Sequence, residues 1–183
     1  DKYDGHQYLI NRLSKNGQRY LYYTVKEALK KGLPVELSLI PFVESQFDPY
    51  AQSSTGASGI WQFIPSTARE NGLKKNWWYD GRRDILASTE AAYTFLTSLY
   101  EKYDDWLIAI AAYNAGPSRI RREIEKNKSN GLPTDFWSLN LPRETKAYVP
   151  KILAIVEVIR EPEKYNIELP YLANRPYFSV IEL

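Results

Sequence analysis

A chain of 183 residues, of which 44% are hydrophobic and 25% charged, has the size and composition of one globular domain with its own core. The absence of cysteine excludes disulfides, thiolate metal sites and cysteine nucleophiles, and a single histidine, His6, argues against a Ser-His-Asp triad or a His-rich metal site. A net charge of +2 is too small for the basic surface of a nucleic-acid-binding protein.

Helical periodicity dominates the chain from its start. Apolar residues at helical spacing predict one helix that stops near Gly17 and a second that stops at Gly32. Pro34 suits the first turn of a third helix, which Pro41 should kink or shorten. Glu44 therefore falls at the C-terminal end of this third helix, and loop-forming residues follow it.

Five further helices are predicted downstream, over residues 65–72, 85–103, 105–116, 117–131 and 142–160. Asp84 is a suitable N-cap for the long helix that follows it. The helix over 105–116 is apolar on nearly every side, which predicts a buried central helix, and Pro150 should kink the last one. The pattern allows a little β structure only in the glycine-rich loop or the extended tail, so it indicates an all-α domain.

Glu44 is the one glutamate between residues 41 and 68, a stretch otherwise rich in apolar and hydroxyl-bearing residues. It can be a solvated carboxylate at a helix end. Alternatively, Phe42, Val43 and Phe47 can desolvate it and raise its pKa from about 4.3 to about 6 or above, as in a general acid. Composition alone leaves both interpretations open.

A glycosidase usually needs a second carboxylate, about 5–10 Å from the first. Asp48 is nearest in sequence, but the following proline favours a turn in which Asp48 holds backbone N–H groups. Asp80 and Asp84 are interpreted as an ion pair and a helix cap, and Glu144 as a favourable charge at a helix start. None of them is an obvious catalytic partner.

Aromatic residues are unusually frequent, with fifteen tyrosines, five tryptophans and six phenylalanines. Rings with a polar tip suit grooves that are half apolar and half wet, as in sugar binding, although packing explains most single rings. Tyr113 and Asn114 form a polar pair at the end of the apolar helix, which is a plausible feature of a binding site.

Four motifs in order resemble the catalytic domain of bacterial lytic transglycosylases, a branch of the lysozyme superfamily related to goose-type lysozymes. They are ES at 44–45, GASGIWQF at 56–63, AAYNAG at 111–116 and ETKAYVPK at 144–151. The resemblance covers about residues 20–160. It implies an all-α, lysozyme-like helical domain of the goose-type lysozyme and soluble lytic transglycosylase kind.

The resemblance also implies an activity, which is cleavage of the MurNAc–GlcNAc β-1,4 bond of peptidoglycan with formation of 1,6-anhydroMurNAc. In this family one glutamate acts first as acid and then as base, a role that matches Glu44. Two alternatives remain at this stage, a lysozyme-type hydrolase with the same fold and a non-catalytic peptidoglycan-binding module.

Other roles carry over by position. The residues that match the substrate-contacting positions of the family are Ser45, Gly59, Gln62, Phe63, Tyr113, Asn114 and Tyr148. Gly56 and Gly59 would allow the backbone to approach the glycan closely. Trp61 stands at a position where many relatives have methionine, and its ring could stack on sugar or pack inward.

The predicted organisation is an N-terminal helical extension over 1–19, a catalytic domain over 20–160 and a tail over 161–183 that leads towards a missing module. The implied partner is peptidoglycan, with no nucleic acid, metal or cofactor, and the chain is expected to be a monomer. No apolar run is long enough to cross a membrane. The substrate implies the periplasm, with a lipid anchor to the outer membrane or LysM repeats outside this sequence.

Overall fold

The computed structural model describes residues 4–179, and their side chains from residue 7 onward. Within that part the α-helices are α1 Asp4–Gly17, α2 Leu21–Lys30, α3 Ile40–Ser45, α4 Pro65–Glu70, α5 Ile85–Tyr103, α6 Trp106–Ala115, α7 Pro117–Ser129 and α8 Arg143–Arg160. Short 3₁₀-helices lie at Val35–Leu39, Phe136–Ser138 and Pro162–Tyr165. The described residues form isolated antiparallel bridges but no strand, which confirms the all-α prediction.

The main difference from the predicted helices is at α3. The prediction of a single helix opened by Pro34 is wrong, because the segment forms a 3₁₀-helix over Val35–Leu39 and a separate α-helix from Ile40 onward. Pro41 consequently lies in the first turn of α3, where a missing N–H costs no hydrogen bond. The helix is only six residues long, and Glu44 is its penultimate residue.

The chain folds as two compact units, whose boundaries fall within α5 and α8. Unit 1 contains residues 4–92 and 154–179 of the described chain, and unit 2 contains residues 93–153. The predicted domain limits at residues 20 and 160 stay a prediction. In unit 1, the core includes the fully buried side chains of Ile40, Ile60 and Trp61.

Unit 2 is built around α6, as its all-round apolar pattern predicts. Ile108 to Ala112 are buried, and Asp105 caps the helix by accepting hydrogen bonds from the N–H groups of Leu107 and Ile108. α6 is ten residues long. No helix in residues 4–179 has both the length and the apolar character needed to cross a membrane.

Candidate active site

Glu44 lies near the end of α3, where its side chain is half-buried. Of the apolar residues beside it in sequence, Phe42 and Phe47 are each only 2% exposed and Val43 is half-buried. The carboxylate is therefore carried by a short helix that is anchored in unit 1 by the buried side chains of Ile40, Pro41 and Phe42.

The backbone turns sharply directly after this helix. Gln46 and Phe47 have φ of 55° and 61°, and their N–H groups donate to the carbonyls of Phe42 and Pro41 at 2.9 and 3.2 Å. A left-handed conformation costs a non-glycine residue about 1–2 kcal/mol. Burial of the Phe47 ring offsets this cost and fixes the direction in which the chain leaves Glu44.

Ser45 connects α3 to the loop over residues 51–63, which contains the GASGIWQF motif. Its Oγ lies 3.1 Å from the Pro41 carbonyl oxygen and 3.0 Å from that of Ile60, so the hydroxyl proton is shared between two acceptors. The first contact lies within the helix and the second joins the helix to the loop. Ser45 therefore helps to position Glu44 relative to this loop.

The loop over 51–63 is closed by its own backbone. Ser58 pairs with both Gln52 and Phe63 in isolated bridges, and the Gln62 side-chain amide donates to the carbonyls of Gly59 and Ala51 at 2.8 and 3.2 Å. Gln62 itself is left-handed, with φ of 51°. Its amide group thus braces the loop from inside, and Phe63 is buried at 3% exposure.

Gly59 is required by packing within the protein. Its φ is +82°, and a Cβ at this position would lie 1.7 Å from the carbonyl oxygen of Arg82. The predicted reason for glycine here was close approach to the glycan. That reason stays a prediction, and the structure shows a different one, which is close approach of two segments of the same unit.

Arg82 has a larger structural role than the sequence indicated. The residue is 5% exposed, and its guanidinium donates from Nη1 to the carbonyl oxygens of Gly56 and Phe63, at 2.7 and 3.2 Å. It also binds Asp80 with two hydrogen bonds, Nε to Oδ1 at 2.9 Å and Nη2 to Oδ2 at 2.6 Å. The hydrogen bond from Arg82 lowers the pKa of Asp80 to about 2. Arg82 thus clamps both ends of the glycine-rich motif, whereas the sequence indicated only the ion pair.

The other acidic residues have the structural roles that the sequence indicated. Asp48 is exposed and accepts the Tyr50 N–H at 2.9 Å, and Asp84 caps α5 by accepting the Ala87 N–H at 2.9 Å. Glu144 lies in the first turn of α8. In the part of the chain that the structure describes, no group of three or more His, Cys, Asp or Glu side chains is placed to hold a metal.

Trp61 packs inward. Its ring is fully buried, and Nε1 donates to the Thr89 hydroxyl at 3.0 Å inside unit 1. Of the two possibilities left by the sequence, packing is therefore the one observed.

The remaining predicted residues, Tyr113, Asn114 and Tyr148, belong to unit 2. Asn114, near the end of α6, accepts a hydrogen bond from the Thr145 hydroxyl at 2.8 Å, and Thr145 is 2% exposed. The Tyr113 ring packs against Phe95 with 5.7 Å between centroids. Tyr148 is 6% exposed and lies three residues after Thr145, on the same face of α8. Thr145 was missed because a threonine inside a helix carries no sequence signal for such a bond.

Comparison with known proteins gives one family. The Transglycosylase SLT domain model matches residues 22–134. Membrane-bound lytic murein transglycosylase D of Escherichia coli is 45% identical over 170 residues, and a putative tributyltin chloride resistance protein of Alteromonas sp. is 37% identical over 171 residues. Each alignment covers 92% of this chain, but 38% of the first relative and 80% of the second. The chain thus spans under two fifths of the Escherichia coli enzyme.

Two solved structures share the fold. An inactive mutant of lytic transglycosylase Slt from Pseudomonas aeruginosa superposes with a TM-score of 0.57 at 28% identity, covering 80% of this chain and 24% of that one. The 70 kDa soluble lytic transglycosylase of Escherichia coli gives a TM-score of 0.58 at 24% identity, over 78% of this chain and 24% of that one. The second likeness concerns the fold alone.

Proposed function

The chain belongs to the transglycosylase SLT family, and from that premise we propose that it is a lytic transglycosylase acting on peptidoglycan. It cleaves the β-1,4 bond between MurNAc and GlcNAc and leaves a 1,6-anhydro ring on MurNAc. The observation that carries the proposal is Glu44, a half-buried carboxylate at the end of α3, inside the matched range and tied through Ser45 to the GASGIWQF loop.

Glu44 performs both proton transfers. As general acid it protonates the glycosidic oxygen while the bond from that oxygen to C1 of MurNAc breaks. The resulting carboxylate takes the proton of the C6 hydroxyl, whose oxygen forms the new bond to C1. Because this hydroxyl belongs to the same sugar, it acts at a high effective molarity and replaces the water of a hydrolase. Glu44 ends the cycle protonated.

The other carboxylates that the sequence analysis weighed as partners are engaged in structural contacts, which supports a single acid–base. Asp48 accepts a backbone N–H, Asp80 is held by Arg82, and Asp84 caps α5. An inverting hydrolase would need a carboxylate free to activate a water at about 6.5–9.5 Å from the acid. The N-acetyl group of the substrate can share the positive charge that develops at C1.

The substrate contacts are proposed by position. Ser45, Gly59, Gln62 and Phe63 would supply the glycan contacts of unit 1, and Tyr113, Asn114 and Tyr148 those of unit 2. Gln62 and Asn114 are both amides already held by protein partners, which favours a fixed hydrogen-bonding surface.

The location and organisation follow from the substrate. We place the protein in the periplasm, where it acts as a monomer, with residues 20–160 as its catalytic domain. The relative from Escherichia coli is named as membrane-bound and is much longer than this chain. An anchor to the outer membrane and wall-binding modules outside the 183 residues are therefore part of the proposal.

The test is mass spectrometry of the soluble muropeptides released from purified peptidoglycan. The wild-type chain is expected to release products one water lighter than hydrolysed muropeptides. Glu44→Gln, which cannot donate the proton, is expected to lower the rate by at least about 100-fold. Glu70→Gln, at the exposed end of α4 in the same unit, is the matched control and should keep the wild-type rate.

Each other outcome contradicts a specific part of the proposal. Unchanged turnover by Glu44→Gln would remove Glu44 from the chemistry. Products with reducing MurNAc ends would identify a lysozyme-type hydrolase. If wild-type chain bound peptidoglycan and released nothing, the domain would be a binding module.

A further inference from the structure

Two adjacent tryptophans lie fully in solvent on the surface of unit 1. Trp77 is 87% exposed and Trp78 is 89% exposed, and their ring centroids are 6.3 Å apart at an interplanar angle of 85°. Large aromatic rings are normally among the most buried side chains on average, and contiguous exposed apolar surface usually marks an interaction site. The catalytic proposal assigns no role to either ring.

The backbone that carries these rings is held by several hydrogen bonds. Asn76 Oδ1 accepts the N–H groups of Trp78 and Tyr79, both at 2.8 Å, and the Asn76 N–H donates to the Tyr79 carbonyl at 2.8 Å. Lys75 and Asp80 pair across the base of this turn. Since the turn is already fixed, a ligand that stacks on the rings pays little conformational entropy.

The tryptophans border an open cleft of about 540 Å³. We call it the aromatic cleft, and its lining residues are Tyr50, Gln52, Lys75, Asn76, Trp77, Trp78, Tyr79, Asp80, Arg82, Arg83 and Asp84. Aromatic rings thus alternate with amide, carboxylate and cationic groups. Asp80 forms ion pairs with Arg82 and Lys75, and with Arg83 and Asp84 the lining has three cationic and two anionic groups.

Such a lining is suited to carbohydrate, because a pyranose ring has an apolar face that stacks on indole and hydroxyl groups at its edge that need hydrogen-bonding partners. The cleft is also continuous with the GASGIWQF loop, since Gln52 lines the cleft and pairs with Ser58 of that loop. A polymer held at the loop therefore has a second surface within reach in the same unit.

We propose that the aromatic cleft is an additional glycan-binding surface, on which Trp77 and Trp78 stack against sugars of the strand away from the bond that is cleaved. It would hold long strands more tightly than short ones. The choice of peptidoglycan glycan as ligand rests on the proposed function, whereas binding of sugar by the rings does not depend on catalysis.

A lipid surface is the other ligand that exposed tryptophans suit, and the cleft argues against it. On insertion into a bilayer, its carboxylates, guanidinium groups and amides would lose their hydrogen bonds to water without gaining new partners. The concave shape and the near-perpendicular rings also offer no flat apolar face to a membrane.

The test measures binding by calorimetry, with soluble glycan strands freed of their peptides and the chain carrying Glu44→Gln to prevent turnover. Adding Trp77→Ala and Trp78→Ala together is expected to weaken binding about tenfold, since each lost stacking contact typically lowers affinity by about threefold. Tyr171→Ala is the matched control, because Tyr171 is 90% exposed in the same unit but does not line the cleft, and it should leave the affinity unchanged.

The second comparison uses glycans of different length and tests lipid vesicles as an alternative ligand. The defect of the double variant should be larger for long strands than for a disaccharide–tetrapeptide fragment. Vesicles of phosphatidylethanolamine and phosphatidylglycerol should not co-sediment with the protein. Wild-type affinity in the double variant, an equal loss in Tyr171→Ala, or vesicle binding lost with the two tryptophans would each overturn the proposal.

This test is independent of the catalytic one. If the wild-type chain released no anhydro products but the tryptophan variants lost glycan affinity, the proposed activity would fail and the cleft would stand. If the wild-type chain released anhydro products but the tryptophan variants kept wild-type glycan affinity, the proposed activity would stand and the cleft would fail. The double variant should remain folded, since both rings are almost entirely in solvent.

Discussion

The backbone carbonyl of Arg82 occupies the space that a side chain at Gly59 would need, 1.7 Å from the position of a Cβ. The side chain of the same arginine donates to the carbonyls of Gly56 and Phe63, on either side of Gly59. One residue thus supports the GASGIWQF loop through both its backbone and its guanidinium, and this support sets the position of the loop to which Ser45 ties α3.

Gly59→Ala is expected to destabilise the protein by at least about 3 kcal/mol, because the clash is with backbone and the φ of +82° disfavours any side chain. Gly72→Ala is the matched control. Gly72 has φ of +77° but nothing within 4 Å of its Cβ position, so about 1 kcal/mol is expected from conformation alone. Urea unfolding measures both, and equal losses would show that the contact with Arg82 is unimportant.

Acid should weaken the Asp80–Arg82 pair. The folded-state pKa of Asp80 is lowered from 3.8 to about 2, so its contribution of about 2 kcal/mol is complete above about pH 5 and is lost as the pH falls through the folded pKa. About half should be lost by pH 3. The difference in unfolding free energy between wild type and Asp80→Asn should therefore shrink by about 1 kcal/mol from pH 6 to pH 3. A pH-independent difference would contradict this assignment.

Ser45→Ala should lower catalysis more than stability. The variant loses the contacts with Pro41 and Ile60 that hold the end of α3 against the loop, so we expect about 1 kcal/mol of destabilisation and about a tenfold fall in kcat. Ser38→Ala is the control, since the Ser38 hydroxyl is buried but donates only to Val35 within its own 3₁₀-helix. A matching fall in kcat for Ser38→Ala would argue against positioning through Ser45.

Thr145→Val tests the support of Asn114. The replacement keeps the shape of a 2% exposed side chain but removes the donor to Asn114 Oδ1, at a cost of about 1–3 kcal/mol in unfolding free energy. If Asn114 contacts the glycan, KM for soluble strands should rise as well. Thr97→Val removes a comparable hydroxyl that bonds only to the backbone within α5, and it should leave KM unchanged.

Local sequence patterns predicted the helices well. The predicted helix over 85–103 coincides with α5, and Asp84 caps it as expected, because capping and periodicity depend on residues a few positions apart. The wrong prediction at α3 also arose from a local pattern. Pro41 was interpreted as a kink within a helix, when it also fits the first turn of a new one.

Residue types and their spacing were thus enough to predict the all-α class, the family and the position of Glu44 at a helix end. Three contacts became visible only in the folded molecule, since Trp61 packs inward on Thr89, Arg82 clamps the GASGIWQF loop and Thr145 holds Asn114. These contacts join residues that are 28, 26 and 31 positions apart in the sequence, respectively. Their formation depends on how helices and loops pack, which short-range periodicity and capping preferences do not encode.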